Sequence, residues 1–254
     1  MCALDLGLKT VPANVIEEPS QITNILTMFN IHNVRVQWEP MPTALKLEVL
    51  VRLLKIENPR TSKNLKKLAQ ITGMTKRGVD RSLILLSYPK KYQDLMLTTD
   101  TEEQVKPAFF LEAHPVLDLI EKNLPEISSR YSRNEITDKL LEKHRSGVIS
   151  SAREFRELAD VVRAVKRGLP KRRVIPKIEA LIEEPKVTVA ETYQETSRAF
   201  YEIQSLEKKA LDFEHHLSTI DPEDLIENKD LVHILESVMH ALDRLLSKAK
   251  KLIK

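Results

Sequence analysis

Cysteine is nearly absent from this chain, glycine and aromatic residues are few, and no long apolar run occurs. The single cysteine, Cys2, excludes an intrachain disulfide and fits a reducing cytoplasm. Lying near the terminus, it reads as inert and not as a nucleophile. No apolar stretch approaches the roughly 18 residues of a membrane span. The start has no basic segment followed by an apolar core, which excludes an export signal. Five glycines, 5% aromatic residues and almost no alternating β-branched stretches argue against a sheet protein. An all-α chain is expected, and 254 residues with 42% hydrophobic content suffice for one to three domains with real cores.

Enzyme signatures are missing too. There is no G-x-x-x-x-G-K phosphate loop and no G-x-S-x-G elbow. The seven histidines are scattered. His215 and His216 are adjacent and point in different directions, while His233 and His240 stand seven apart, too far for direct bidentate capture of a metal. No catalytic residue, metal or cofactor is expected.

What is present is a pair of short amphipathic helices within residues 62–89. Ser62 caps the first, with Leu65, Leu68 and Ala69 inward, and Gly73 supplies the tight turn. Thr75 caps the second, whose Val79, Leu83 and Leu86 share a face, and Pro89 stops it. The spacing predicts a helix-turn-helix whose second helix turns Lys76, Arg77, Asp80 and Arg81 to solvent. From Lys55 to Lys91 there are ten Lys/Arg against two acids, in a chain whose net charge is only +3. Such a localised basic footprint points to double-stranded DNA, with Lys63, Thr75, Lys76, Arg77, Arg81, Lys90 and Lys91 as the expected contacts and a nucleoid-associated location. A second basic region, Glu142 to Lys177, has eleven Lys/Arg and four acids. Two readings of it stand: a phosphate grip flanking the reading helix, or an ordinary solvated face.

The other segments read as follows. Residues 10–16, TVPANVI, form a strand, and a short helix and a polar turn lie between it and Trp38. Residues 41–56 form a helix capped by Thr43. Pro115 begins a helix, Ser132 and Glu135 are spaced as a capping box, and Gly147 closes that helix. Residues 168–190, with three prolines, read as a boundary containing a short helix. From Glu183 to Asp230 there are thirteen acids against five Lys/Arg. Leu231, Leu235, Val238, Leu242, Leu245, Ala249 and Leu252 then alternate four and three for three heptads. That seam holds two chains together through residues 193–254, or it forms a hairpin within one chain.

Residues 10–95 resemble ParB-like partition proteins. TVPANVI matches the strand that closes that family's N-terminal domain. NIHNVR, residues 30–35, sits where an E-N-x-x-R nucleotide box stands, with Phe29 in place of its glutamate. EPMPTALKLEVLVRLL matches the helix before the helix-turn-helix, and LLSYP matches its L-L-x-L-P close. The resemblance implies a dimer binding a palindromic DNA site. It makes residues 1–40 a remnant of a nucleotide domain whose main body is missing, with Asn30, His32 and Arg35 as remnant phosphate contacts and no CTP binding by the chain alone. Residues 41–180 would be the DNA-binding domain and 186–254 a dimerising helical hairpin or coiled coil. The alternative from another class is a helical interaction or transcription-regulating module whose basic face binds nucleic acid non-specifically.

Overall fold

The structure, a computed structural model, describes Gly7, Thr10 and residues 20–35, 39–223 and 228–253. Side chains of residues 32–35, 252 and 253 lie outside that description. Helices make up most of the described residues, which contain no strand. The strand expected over 10–16 falls outside the described residues apart from Thr10. No described helix is long and apolar enough to cross a membrane. The chain divides into two compact units, Met1–Thr196 and Ser197–Lys254.

The first unit opens with α1 (Gln21–Arg35) and α2 (Pro40–Leu53), followed by α3 (Ser62–Thr72) and α4 (Lys76–Ser87). Their shared core is Ile25 and Phe29 of α1, Leu47 and Leu50 of α2, Leu68 of α3, and Val79 and Leu83 of α4. Helix α1 thus packs into one core with α2, α3 and α4, and the expected division at residue 40 is not where the packing divides. NIHNVR is the last part of α1, and residues 36–38, where the expected polar turn would end, lie outside the described residues. Glu39 precedes α2, with Pro40 at its first turn, where a missing N–H costs nothing. Thr43, expected as the cap, lies inside the helix and donates its hydroxyl to the Glu39 carbonyl at 2.8 Å.

Beyond the helix-turn-helix come α5 (Lys90–Leu97), α6 (Pro107–Asn123), α7 (Pro125–Arg130), α8 (Arg133–Arg145), α9 (Phe155–Lys166), α10 (Lys171–Glu183) and α11 (Val189–Tyr193). Helix α6 is the spine, packing most extensively on α9 and touching α4, α7 and α8. The few aromatic residues gather here. Tyr88, Tyr92, Phe109, Phe110 and Phe155 are all buried, and successive rings meet edge-on or tilted at 5.0–5.9 Å. The Tyr88 hydroxyl donates to the Phe110 carbonyl at 2.9 Å, tying the end of α4 to α6.

Three proline readings need correcting or sharpening. Pro107 opens α6, and Pro115 lies inside it, so the Leu111 carbonyl loses its helical donor. Pro176 likewise lies inside α10, which is 13 residues long and buries Val174, Ile178, Leu181 and Ile182. That stretch is therefore core and not a boundary with a short helix. The buried Lys143 of α8 fastens its end by donating to the carbonyls of Glu184 and Val187. The Ser132–Glu135 capping box of α8 is present.

The second unit holds α12 (Ala199–Thr219) and α13 (Lys229–Ile253). No residue of α12, nor any of 229–251, is buried. Ile203, Leu206, Leu211, Ile234, Met239, Leu242, Leu245 and Leu246 each expose half or more of their surface. Of the heptad positions, Leu242 and Leu245 are exposed, whereas Leu231, Leu235 and Val238 are half-buried.

Candidate nucleic-acid interface

Local chemistry fixes the α3–turn–α4 unit tightly. Lys55 and Asn58 adopt positive φ (50° and 49°) and reverse the chain after α2. The Asn64 amide then clamps that reversal, donating to the carbonyls of Glu57 at 2.8 Å and Asn58 at 3.2 Å. The α3 cap is Thr61, whose hydroxyl accepts from the Asn64 N–H. Ser62, expected in that role, is the first helical residue. Gly73 ends α3 in the left-handed region at φ 71°, where a side chain would be strained. Thr72 bridges the turn, donating to the Leu68 carbonyl at 2.7 Å and accepting from the Met74 N–H at 3.3 Å. Thr75 caps α4 by accepting from the Gly78 N–H at 3.0 Å. Its hydroxyl is therefore spent on the helix, which makes Thr75 a positioning residue.

Helix α4 is buried on a wide arc. Val79 and Leu83 face α2 and α3, Ser82 and Leu85 are buried as well, and Leu86 is partly covered. What remains exposed is a strip at its first two turns bearing Lys76, Arg77 and Arg81. Two cations in the first turn oppose the helix dipole. Neither α3 nor α4 carries an acid in its first turn, a feature shared with α1, α2, α5, α6 and α10.

The strip borders a groove between α4 and the α6–α9 pair. Arg77 and Arg81 line one wall and Arg156 and Arg163 of α9 the other, over a floor that includes Leu111, Pro115 and Phe155. The second basic region thus contributes two arginines to the same groove as α4. Sequence reasoning missed Arg156 and Arg163 as individual residues, since only tertiary packing brings α9 alongside α4.

Three carboxylates share the groove, and each has a guanidinium partner. Asp80 pairs with Arg60 at 3.0 Å and Asp160 with Arg163 at 2.9 Å. Glu112 receives both Nε and Nη2 of Arg156, at 3.2 and 3.0 Å. The hydrogen-bonded Arg156 holds the Glu112 carboxyl below its ordinary pKa, and the charges of Arg81 and Arg77 push the same way. Arg77 and Arg81 themselves make no ion pair among the described residues.

Arg60 belongs to a second network behind the groove. Its Nη1 lies 3.4 Å from His114 Nε2, and Arg133 Nη2 lies 2.9 Å from His114 Nδ1. Arg133 also pairs with Asp118 and Glu121, each at 2.9 Å. Asp80 of α4 is in this way joined through Arg60 to α6 and α8.

The remaining predicted contacts scatter. Lys63 is exposed on the first turn of α3. Lys90 pairs with Asp94 at 2.8 Å, and Lys91 with Asp138 at 2.7 Å while lying 4.5 Å from the Tyr92 ring centroid. Both are engaged within the fold and neither lines the groove. Asn30 is exposed on α1, and the side chains of His32 and Arg35 lie outside the described residues. Comparison with models of protein families, with curated proteins and with solved structures finds no match.

Proposed function

We propose that this chain is a DNA-binding protein that reads duplex DNA in the major groove with α4, in the manner of ParB-like partition proteins, and that it does so as a homodimer. The observation that carries the reading is the exposed strip of α4. Among the described residues Lys76, Arg77 and Arg81 make no ion pair there, on a helix capped by Thr75 and packed against α2 and α3. Arginine side chains in that setting suit guanine O6 and N7, and phosphates flanking the groove would meet Arg156 and Arg163. Nothing in this reading requires a nucleotide or a metal.

The partner proposed for α12 and α13 is a second copy of the chain. Charge along the terminal segment supports this choice. Residues 221–236 carry six carboxylates and one lysine, whereas 237–254 carry five Lys/Arg and one carboxylate. An antiparallel pair of α13 helices lays the basic end of each beside the acidic end of the other, and a parallel pair stacks like charges. The apolar face is broad, with Val232, Met239 and Leu246 flanking the heptad, as suits a bundle of two α12 and two α13 helices. A heterologous partner is the rival occupant, and a chain that sediments as a monomer would favour it.

Fluorescence anisotropy with a random-sequence duplex tests the DNA reading. Affinity should fall linearly on a log–log plot against salt, with a slope of about −0.9 per phosphate contact. Affinity absent even at ~50 mM salt would reject it.

A further inference from the structure

We infer that Glu112 is a latch that holds Arg156 away from DNA phosphates until α4 has docked on a sequence that it reads; the inference rests on the DNA-binding reading above. Arg156 sits on the outer turn of α9 with its side chain 67% exposed, while Glu112 is 30% exposed on α6. Neither side chain is buried, so no core depends on their pairing. Their two hydrogen bonds present the guanidinium fork to a carboxylate in the geometry that it would use on a phosphate.

The surroundings suit a latch more than a fixed strut. Across the groove Arg77 and Arg81 are close enough to stabilise the Glu112 charge. If Arg156 leaves, that carboxylate is still compensated, so the released state is accessible. On a duplex held by base contacts, Arg156 can turn from carboxylate to phosphate with its bidentate bonds conserved. While the latch is closed, one phosphate contact is withheld from DNA of any sequence. Base contacts from α4 then decide which duplex is held, a use of repulsion for discrimination.

The test measures full-length chain binding to a random-sequence 30-base-pair duplex by anisotropy across a salt series. An exposed ion pair is weak, so Glu112→Gln should tighten binding only roughly two- to fivefold at low salt. It should also steepen the salt slope by about 0.9, the mark of one added phosphate contact. Combining Glu112→Gln with Arg156→Ala should return affinity and slope to about wild-type values. An unchanged or weakened Glu112→Gln variant overturns the latch. So does a gain that survives in the double variant, since loss of carboxylate repulsion alone would then account for it. Failure of the wild-type chain to bind any duplex takes down both readings, whereas wild-type binding with no Glu112 effect takes down the latch alone.

Discussion

Arg77 and Arg81 are the residues on which the account turns. Each base contact of this kind contributes ~1–3 kcal/mol of discrimination. Arg77→Ala and Arg81→Ala should therefore lower affinity for a preferred duplex by tenfold or more, roughly, and for random duplex much less. Lys63→Ala should lower both alike. Equal losses on the two duplexes for the arginine variants would make them phosphate contacts only. His114 behind the groove gives a second prediction at this scale. Burial holds its pKa below the ordinary value, with Arg133 and Arg60 pushing the same way and Asp118 and Asp80 opposing. An unfolded chain takes up the proton as pH falls through ~6.5, and the folded chain only lower. The unfolded state thus binds more protons in that window, and stability falls as the pH drops. The carboxylates with lowered pKa act below ~4.5, outside it. The midpoint of thermal unfolding should decline from pH 7.5 to 5.5, and His114→Gln should flatten that decline; a profile identical in both chains would contradict this assignment.

At the scale of the element, α4 depends on its cap. Thr75→Ala removes the acceptor for the Gly78 N–H and should cost ~1 kcal/mol, read as a lower urea midpoint with an unchanged slope. A neutral substitution would mean that tertiary packing alone holds the first turn. Caps of this sort were largely legible in the sequence, because they depend on residues within one turn of each other: Thr75, Gly73 and the Ser132–Glu135 box all stand where their spacing puts them. The α3 cap was displaced by one, since Thr61 and Ser62 offer the same hydroxyl chemistry. The prolines misled for a different reason. Pro115 and Pro176 each forfeit one hydrogen bond, yet α6 and α10 continue through them because Phe110, Ala113, Val116 and Leu117 are buried on either side of Pro115, and Val174, Ile178 and Leu181 on either side of Pro176. Burial of that many apolar groups outweighs one lost bond. The groove itself was illegible, since its arginines come from helices far apart in the chain. Charge counting found the α9 region without saying which of its residues face α4.

For the whole molecule, the exposed leucines of α12 and α13 are the feature that most needs a partner. Leu242 lies at the centre of the heptad and is 51% exposed in the single chain. In a packed seam between two chains, Leu242→Asp buries an unpaired charge and should cost several kcal/mol, roughly. Sedimentation at ~10 μM should find wild-type dimer and mutant monomer, with the near-ultraviolet signal of the Tyr88–Phe110 cluster unchanged. A wild-type chain that is already monomeric there would reject self-association and leave a heterologous partner for this face.

The decisive measurement is selection of duplexes from a randomised pool by the full chain. Enrichment of a two-fold symmetric sequence is expected, with half-sites ~34–36 Å apart or a multiple of that spacing. The enrichment should vanish when Arg77 and Arg81 are both replaced by alanine. A pool that stays random after repeated rounds, or a motif that both arginine replacements leave intact, would contradict the assignment of α4 as the reading helix.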